Sequence, residues 1–324
     1  MLRRTLFQCV AGTALAASCG LLHAQTWPSK PVRMIVPFAA GSTPDLLARI
    51  LTDRLSARLG QAFVVDNRSG AAGNIGTDVV AKAAPDGYTV GVSIAGPLAI
   101  NPLLFKSMPY DPARDVKLIT VAATQPSVLV ASNKLKASTS KELFELLGHK
   151  EGRYSFASMG AGTISQMGMY VLTANSPADV VHVPYAGSGA ASLALMSGEV
   201  DFALLPAASV MPHIQAGKMK ALGVADAKRM SALPNVPTLT EAGVRSVTAD
   251  AWIGVIAPAG TPDAITERLR GEILQVLAEP AVREKLRTQT MEAVGGTPVE
   301  FRKVLDGELK LWSPVIKQYG ITVQ

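Results

Sequence analysis

One local pattern recurs along the chain and constrains its fold more than any other feature. A short run rich in β-branched residues leads into a glycine-containing loop, and the loop leads into a segment with helical spacing of apolar residues. The three loops of this kind are residues 39–43, 158–163 and 185–189. Strands that alternate with helices in this way are typical of α/β proteins. We therefore expect mainly parallel sheets flanked by helices.

The length of the chain predicts two domains. Single hydrophobic cores stop growing at about 250–300 residues, and the chain has 324 residues. Two apolar runs, residues 118–131 and 251–257, are long enough to carry the chain from one domain to the other and back.

The N-terminus has the composition of a secretory signal peptide. Arg3 and Arg4 precede an uncharged run, residues 10–22, which is too short to span a bilayer, and the small residue Ala24 follows. We expect cleavage after Ala24, so that residues 1–24 are removed. The arginine pair leaves the general secretory and twin-arginine export routes both open.

Both cysteines lie in this segment. With Cys9 and Cys19 removed, the mature chain has no thiol, which excludes disulfides, thiolate metal sites and cysteine nucleophiles. A lipoprotein alternative would keep Cys19 as a lipid anchor, but Ala16 stands where the lipid-processing motif prefers Leu.

The charge of the chain argues against nucleic acid as a partner. Removal of two arginines lowers the formal charge from +6 to +4, and no block of five or more Lys or Arg occurs. So small a surplus on about 300 residues also argues against lipid headgroups as the main partner.

Motifs of catalysis, metal binding and nucleotide binding are missing from the sequence. The chain has no G-x-S-x-G, H-E-x-x-H or phosphate-loop motif, and Ser165 stands where the dinucleotide fingerprint needs Gly. His149, His182 and His213 have no second His or carboxylate at metal-ligand spacing. We therefore expect no catalytic residue, no metal site and no cofactor.

The glycine loops are candidate anion sites. A helix that starts directly after a strand presents unpaired backbone N–H groups and the positive end of its dipole. The alternative is that these glycines only make turns. If two domains present such loops to each other, a ligand would bind between them.

Several longer motifs resemble one family. They are Val36-Pro37-Phe38-Ala39-Ala40-Gly41 with Asp45, Asp66-Asn67-Arg68-Ser69-Gly70-Ala71-Ala72-Gly73, Pro85-Asp86-Gly87-Tyr88-Thr89, Val183-Pro184-Tyr185 and Leu233-Pro234-Asn235-Val236-Pro237-Thr238. In this order they resemble the extracytoplasmic receptors of tripartite tricarboxylate transporters, the Bug-type solute receptors.

The resemblance implies a two-lobed periplasmic binding protein of the type II fold. One lobe would comprise residues 25–122 plus 254–324 and the other residues 123–253, with hinge strands near 118–124 and 250–256. The lobes would close on a small carboxylate, and the protein would deliver it to a membrane permease.

The resemblance also implies a set of ligand contacts from both lobes. They are Phe38, Gly41, Ser42, Thr43, Asp45, Ser93, Ala95, Ser158, Gly160, Gly162, Thr163 and Tyr185. The sequence departs from the family at Ser42, where a second Gly is usual, and at Gln166, where His is common.

We therefore expect a monomeric periplasmic binding protein without enzymatic activity. Its ligand would be a di- or tricarboxylate, an aromatic acid or an acidic amino acid, and its partner the permease subunits. Two alternatives remain open from the sequence: a sensing module that docks on a receptor kinase, and a periplasmic hydrolase.

Overall fold

The computed structural model of the protein describes residues 27–160, 162–226, 228–230, 232–244, 251–319 and 321. The predicted signal peptide, residues 1–24, lies outside these residues. Within them, no helix combines the length and apolar character that crossing a membrane requires.

Strands and helices alternate through much of the described chain. The strands are β1 (Val32–Val36), β2 (Phe63–Asn67), β3 (Thr89–Ser93), β4 (Val116–Gln125), β5 (Ser127–Ser132), β6 (Arg153–Ser158), β7 (Asp179–Pro184), β8 (Phe202–Pro206), β9 (Met219–Val224), β10 (Ala251–Pro258) and β11 (Glu292–Ala293). The α-helices are α1 (Thr43–Leu59), α2 (Asn74–Ala81), α3 (Asn101–Leu104), α4 (Ser140–Leu147), α5 (Ile164–Thr173), α6 (Ser188–Ser197), α7 (Ala207–Gln215), α8 (Asp263–Ala278), α9 (Pro280–Thr288) and α10 (Pro298–Tyr319). A 3₁₀ turn covers Ala71–Gly73, and a π-helical turn covers Gly96–Ile100.

Two sheets organise the described residues. The first has the strand order β11-β4-β10-β3-β1-β2 and the second has the order β7-β6-β8-β5-β9. Pairing is parallel where strands are connected through helices, at β1–β2, β1–β3, β6–β7 and β6–β8. The predicted α/β architecture, with helices flanking two sheets, is confirmed.

The sheets are mixed, however, rather than mainly parallel. Strands β4 and β10 pair antiparallel with each other, and β5 pairs antiparallel with β8 and β9. The chain leaves the first sheet through β4 and returns to it through β10. Because the two strands run in opposite directions, they pair antiparallel. Pro126, which has no N–H to donate, separates β4 from β5. The apolar run 118–131 therefore contributes one strand to each sheet.

Apolar side chains pack on both sheets. On the first, Met34 of β1 and Leu51 of α1 lie in one buried cluster with Leu269 of α8. On the second, Val130 of β5 packs in a cluster with Leu195 of α6. These clusters hold the helices against the sheets. They therefore also fix the position of the helix ends that face the other sheet.

The long helix α10 is attached to strand β10 through a buried carboxylate. Glu308 accepts hydrogen bonds from Nε1 of Trp252 at 2.9 Å and from Nε1 of Trp312 at 2.5 Å. Burial raises the pKa of Glu308, and the two indole bonds oppose that rise only in part. Phe301 of the same helix packs edge to face on Trp252, with 5.3 Å between ring centroids. One side chain of the crossover strand thus anchors the helix.

Candidate functional site

A pocket lies between the two sheets, and we call it the central pocket. Its lining comprises Phe38, Ser42, Thr43, Pro44 and Ile94 beside the first sheet, Met159, Ile164, Gly187, Ser188 and Pro206 beside the second, and Ala251, Trp252 and Ile253 of β10. Its volume is about 40 Å³. A cavity of about 10–15 Å³ holds one water molecule. The pocket therefore has room for a few water-sized groups.

The start of helix α1 forms one wall of the central pocket. Ser42, with φ −71° and ψ 159°, is the N-cap of this helix. Its side chain makes no capping bond. Within the described residues, Ser42 Oγ and Thr43 Oγ1 are buried and have no hydrogen-bond partner. These two buried hydroxyls are therefore unsatisfied polar atoms on residues that line the pocket, while Pro44 supplies no N–H and the N–H of Leu46 bonds to the carbonyl of Ser42.

Asp45 holds the loop before α1 in place. Its carboxylate accepts hydrogen bonds from Gly41 N–H, Arg49 Nε and Asn67 Nδ2, each at 2.9 Å. Asn67 Nδ2 also donates to the carbonyl of Phe38 at 3.0 Å. Burial raises the pKa of Asp45, but the three bonds outweigh burial and hold it below its ordinary value. Asp45 and Gly41 thus bond to each other beside the pocket lining, and their predicted ligand contacts stay predictions.

The start of helix α6 forms a second wall. Gly187 precedes it with φ +121°, a conformation that favours glycine, and no side chain caps the helix. Gly187 and Ser188 both line the central pocket. Sequence reasoning singled out the loop 185–189 but chose Tyr185 as the contact, whereas the Tyr185 hydroxyl donates to Glu199 at 2.9 Å. Burial, together with Glu199, raises the pKa of Tyr185 to about 12.

Two further predicted contacts, Ser93 and Ala95, flank a lining residue. Ser93 is fully buried at the end of β3, with its hydroxyl 3.0 Å from Thr77 Oγ1. Ala95 is also fully buried. Ile94 lies between them and reaches the central pocket.

The loop 158–163 is held together by its own hydroxyls. Gly160 N–H donates to Ser158 Oγ at 3.1 Å, and Thr163 Oγ1 donates to the carbonyl of Gly160 at 2.7 Å. Thr163 Oγ1 also accepts from Gln166 N–H at 3.4 Å and so caps helix α5. Met159 of this loop and Ile164, the first residue of α5, line the pocket, and Ser158, Gly160 and Thr163 hold the loop that carries Met159.

His182 supports the same loop from behind. Gly162 N–H donates to Gln166 Oε1 at 2.6 Å, so the amide nitrogen of Gln166 must donate to His182 Nδ1, 3.2 Å away. The ring proton is therefore on Nε2, 2.7 Å from Ser158 Oγ. Gln166 thus bonds directly to the loop at the position where the family commonly has His. Burial lowers the pKa of His182 to about 4, in keeping with this neutral tautomer.

The low pKa of His182 predicts a pH dependence of stability. Between pH 6.5 and about 4 the unfolded chain binds a proton that folded His182 does not bind, so stability falls as pH falls through this window. We expect wild-type protein to lose about 1–3 kcal/mol more than His182→Gln over that range. Urea unfolding at pH 7, 5.5 and 4 measures the difference. His149→Gln, at an exposed position, should keep the wild-type slope; equal slopes for wild type and His182→Gln would contradict the prediction.

Gly160 and Gly162 lie against the loops of the first sheet. A Cβ atom added at Gly162 would lie 1.9 Å from Asn101 Oδ1, and one added at Gly160 would lie 4.0 Å from Ala72 Cα. Asn101 is fully buried and donates through Nδ2 to Asn74 Oδ1 at 2.6 Å. The backbone at Gly160 and Gly162 therefore lies close to elements that flank the first sheet, the turn at Ala72 and the Asn101 side chain of α3.

Within the described residues, the lining of the central pocket contains no Lys, Arg or His. A group of three or more His, Cys, Asp or Glu side chains that could hold a metal ion is likewise missing from that part of the chain. Capture of an anion would thus rely on hydroxyls and helix N-termini.

Two mixed sheets with a pocket between facing helix N-termini define the chain as a two-sheet α/β binding protein. The model of the tripartite tricarboxylate transporter family receptor matches residues 47–321, and the chain belongs to this family. The predicted family is thus confirmed. Since this family and the solved relatives are solute-binding receptors, the prediction of a binding protein rather than an enzyme is confirmed as well.

Relatives support the assignment over nearly the whole chain. A protein of Pseudomonas sp. strain P51, named for the tcbD-tcbE intergenic region, is 37% identical over 316 residues, which cover 96% of this chain and 94% of the relative. BugT of Bordetella pertussis is 35% identical and covers 97% of this chain and 95% of its own length.

Two solved structures with carboxylates are similar in fold. A protein of R. palustris, solved with adipate, has a TM-score of 0.87 and 33% identity, covering 91% of this chain and 99% of that one. MatC of Rhodopseudomonas palustris, with bound malate, has a TM-score of 0.84 and 29% identity, covering 90% of this chain and 100% of that one.

Proposed function

We propose that the protein is a periplasmic receptor that captures a small organic carboxylate in the central pocket and delivers it to a tripartite tricarboxylate permease. Residues 25–122 plus 254–324 form one lobe and residues 123–253 the other. Strands β4 and β10 run side by side between the lobes and form the hinge. The signal peptide, residues 1–24, directs the chain to the periplasm.

The observation that carries the proposal is the pair of unpartnered hydroxyls, Ser42 Oγ and Thr43 Oγ1, on a helix N-terminus that lines the pocket. Buried polar atoms are costly unless they find a partner. A carboxylate supplies acceptors for both hydroxyls and for the first-turn N–H groups of α1 and α6. Four or five hydrogen bonds to a charged group, at about 1.5–3 kcal/mol each, support micromolar binding after ordering costs.

Calorimetry on protein refolded from denaturant tests the proposal. The panel should include adipate and malate, the ligands of the two solved relatives, with benzoate, glutamate and citrate. Absence of a response to every acid would contradict carboxylate capture. A pull-down that compares the periplasmic loops of the permease with those of a receptor kinase tests delivery. Binding to the permease loops is the expected result.

Removal of one hydroxyl should separate ligand binding from stability. Thr43→Val keeps the side-chain shape and deletes a hydroxyl that has no partner within the described residues. We expect affinity for the tightest-binding acid of the panel to fall by at least about tenfold, equivalent to about 1.4 kcal/mol. The free energy of unfolding should stay the same or rise.

Thr163→Val is the matched control for this substitution. Its hydroxyl bonds within the loop and caps α5, so this variant should lose about 0.5–2 kcal/mol of stability. If Thr43→Val kept full affinity, the start of α1 would not be the carboxylate site.

A further inference from the structure

Trp252 lies between two cavities. It lines the central pocket, and it also lines a groove between β4 and helix α10, whose lining includes Val121, Val294, Glu308 and Leu311; we call it the outer groove. The outer groove has a volume of about 370 Å³, against about 40 Å³ for the central pocket. Val294 and Leu311 in its lining are half exposed. Trp252 therefore borders much more free space in the outer groove than in the central pocket.

Glu308 and Phe301 hold the Trp252 ring from the side of the outer groove, which both of them line. The ring donates Nε1–H to Glu308 Oε1 at 2.9 Å, and Phe301 packs edge to face on it, with 5.3 Å between ring centroids. The other oxygen of Glu308, Oε2, accepts from Nε1 of buried Trp312 at 2.5 Å. The carboxylate is thus held in place by α10 itself. A shift of the Trp252 ring into the groove would cost the hydrogen bond to this carboxylate.

The size of the central pocket makes such a shift relevant to the solute. The pocket has room for a few water-sized groups, so a longer acid requires that part of the lining give way. Trp252 has the largest side chain among the described lining residues, and free space lies beside it in the outer groove. Movement of this ring would enlarge the central pocket at the expense of the groove.

We propose, on the basis of the proposed function, that Glu308 sets the length of acid that the central pocket accepts. Glu308 is a positioning residue: while it binds the indole N–H, the Trp252 ring closes the pocket toward the outer groove. A short acid binds with the ring in this place. A long acid displaces the ring and loses the bond to Glu308, so it binds more weakly than its contacts alone would allow.

The chain-length preference of Glu308→Leu tests this inference. Leucine keeps an apolar side chain of similar bulk against the ring but offers no acceptor. Calorimetry at neutral pH, on protein refolded from denaturant, compares malonate, succinate and adipate, which all carry two carboxylates and differ in length. We expect the ratio of adipate affinity to malonate affinity to be at least about tenfold higher in Glu308→Leu than in wild type, because only the long acid breaks the bond.

The outcomes separate this inference from the proposed function. An unchanged ratio would overturn the role of Glu308 and leave carboxylate capture intact. If wild-type protein binds none of these acids, nor malate, benzoate, glutamate or citrate, the inference and the proposed function both fail.

Trp312→Phe is the matched control. It removes the second indole bond of Glu308, on Oε2, and leaves the acceptor of Trp252 in place. This variant should lose stability but keep the wild-type affinity ratio within about threefold. An equal rise of the ratio in both variants would show that displacement of α10, rather than release of the ring, changes the preference, and would contradict the positioning role.

The fluorescence of Trp252 gives a second measurement, which decides the inference if Glu308→Leu does not fold. The chain has three tryptophans, so the variant Trp27→Phe/Trp312→Phe keeps Trp252 alone. Nε1 of Trp27 has no hydrogen-bond partner within the described residues, so its replacement removes no such bond. Bound adipate should shift the emission to longer wavelength and increase quenching by acrylamide, whereas bound malonate should do neither. Identical spectra with the two bound acids would overturn the inference.

Discussion

Gly162→Ala is expected to weaken carboxylate binding by at least about tenfold. The added Cβ would lie 1.9 Å from Asn101 Oδ1, so the loop 158–163 could no longer rest against the first sheet. The backbone at Gly162 has φ +76°, a conformation that costs an L-residue about 1–2 kcal/mol. Since Met159 and Ile164, on either side of this glycine, line the central pocket, displacement of the loop removes one wall of the site.

Calorimetry with the tightest-binding acid of the panel measures the loss. Gly189→Ala, in the first turn of α6, is the matched control because its Cβ would meet no atom within 4 Å. This control should keep wild-type affinity. The double variant Gly162→Ala/Asn101→Ala removes the collision but not the backbone strain, so it should recover part of the affinity. Wild-type affinity in Gly162→Ala alone would show that the contact with Asn101 is unimportant.

Gly254→Ala is expected to destabilise the protein by about 2–4 kcal/mol. The position lies in the crossover strand β10, and an added Cβ would lie 2.0 Å from Cζ and 2.4 Å from Cε1 of Phe301. Phe301 is fully buried. Overpacking of a filled core typically costs about 1–3 kcal/mol and sometimes more. Strand β10 and helix α10 cannot both keep their places.

Urea unfolding measures this effect. Gly271→Ala in α8 adds the same methyl group where no atom lies within 4 Å, and it should raise stability by about 0.5–1 kcal/mol because alanine favours helix. Gly254→Ala/Phe301→Leu should recover part of the lost stability. If Gly254→Ala were as stable as wild type, the packing of α10 against β10 would be looser than described.

The ends of helices that carry a capping glycine or a capping box could be predicted from the sequence. Helix α1 ends at Gly60, whose φ of +67° is typical of a glycine that caps the C-terminus of a helix. The start of α10 has the sequence pattern T-x-x-E and forms a capping box: Thr297 Oγ1 accepts from Glu300 N–H, and Glu300 Oε2 accepts from Thr297 N–H. Such signals are local, so they survive without knowledge of the tertiary structure.

Features that depend on tertiary packing could not be predicted in the same way. Helix α7 contains Pro212, a residue that disfavours a helix interior unless packing compensates, so its sequence does not indicate a helix. The run 118–131 is apolar throughout, so its sequence indicates one segment that crosses between the domains. In the structure the run is interrupted at Pro126, and its two halves join different sheets.

The residues of the candidate site also fall into two groups, those that could be predicted from the sequence and those whose position depends on the fold. Phe38, Ser42 and Thr43, which the family resemblance implies as ligand contacts, line the central pocket, and their contact with a ligand stays a prediction. Ser188 belongs to the loop 185–189, which the sequence pattern indicates as a candidate anion site, but the family resemblance implies Tyr185 of this loop as the ligand contact. Trp252 was predicted only as part of an apolar crossover strand, since its position beside both Glu308 and the pocket arises from the fold.

The bond between Trp252 and Glu308 links two regions that have separate tasks. The Trp252 ring is a wall of the central pocket, and its N–H holds helix α10 through a carboxylate that also binds Trp312. A solute that shifts this ring must strain or release the attachment of the helix. Suppose that a partner protein binds α10 and that binding of the solute changes the partner's affinity by some factor. Thermodynamic linkage then requires the partner to change the affinity for the solute by the same factor. If the central pocket is the solute site, helix α10 is coupled to it through Trp252, although the described lining includes no residue of α10.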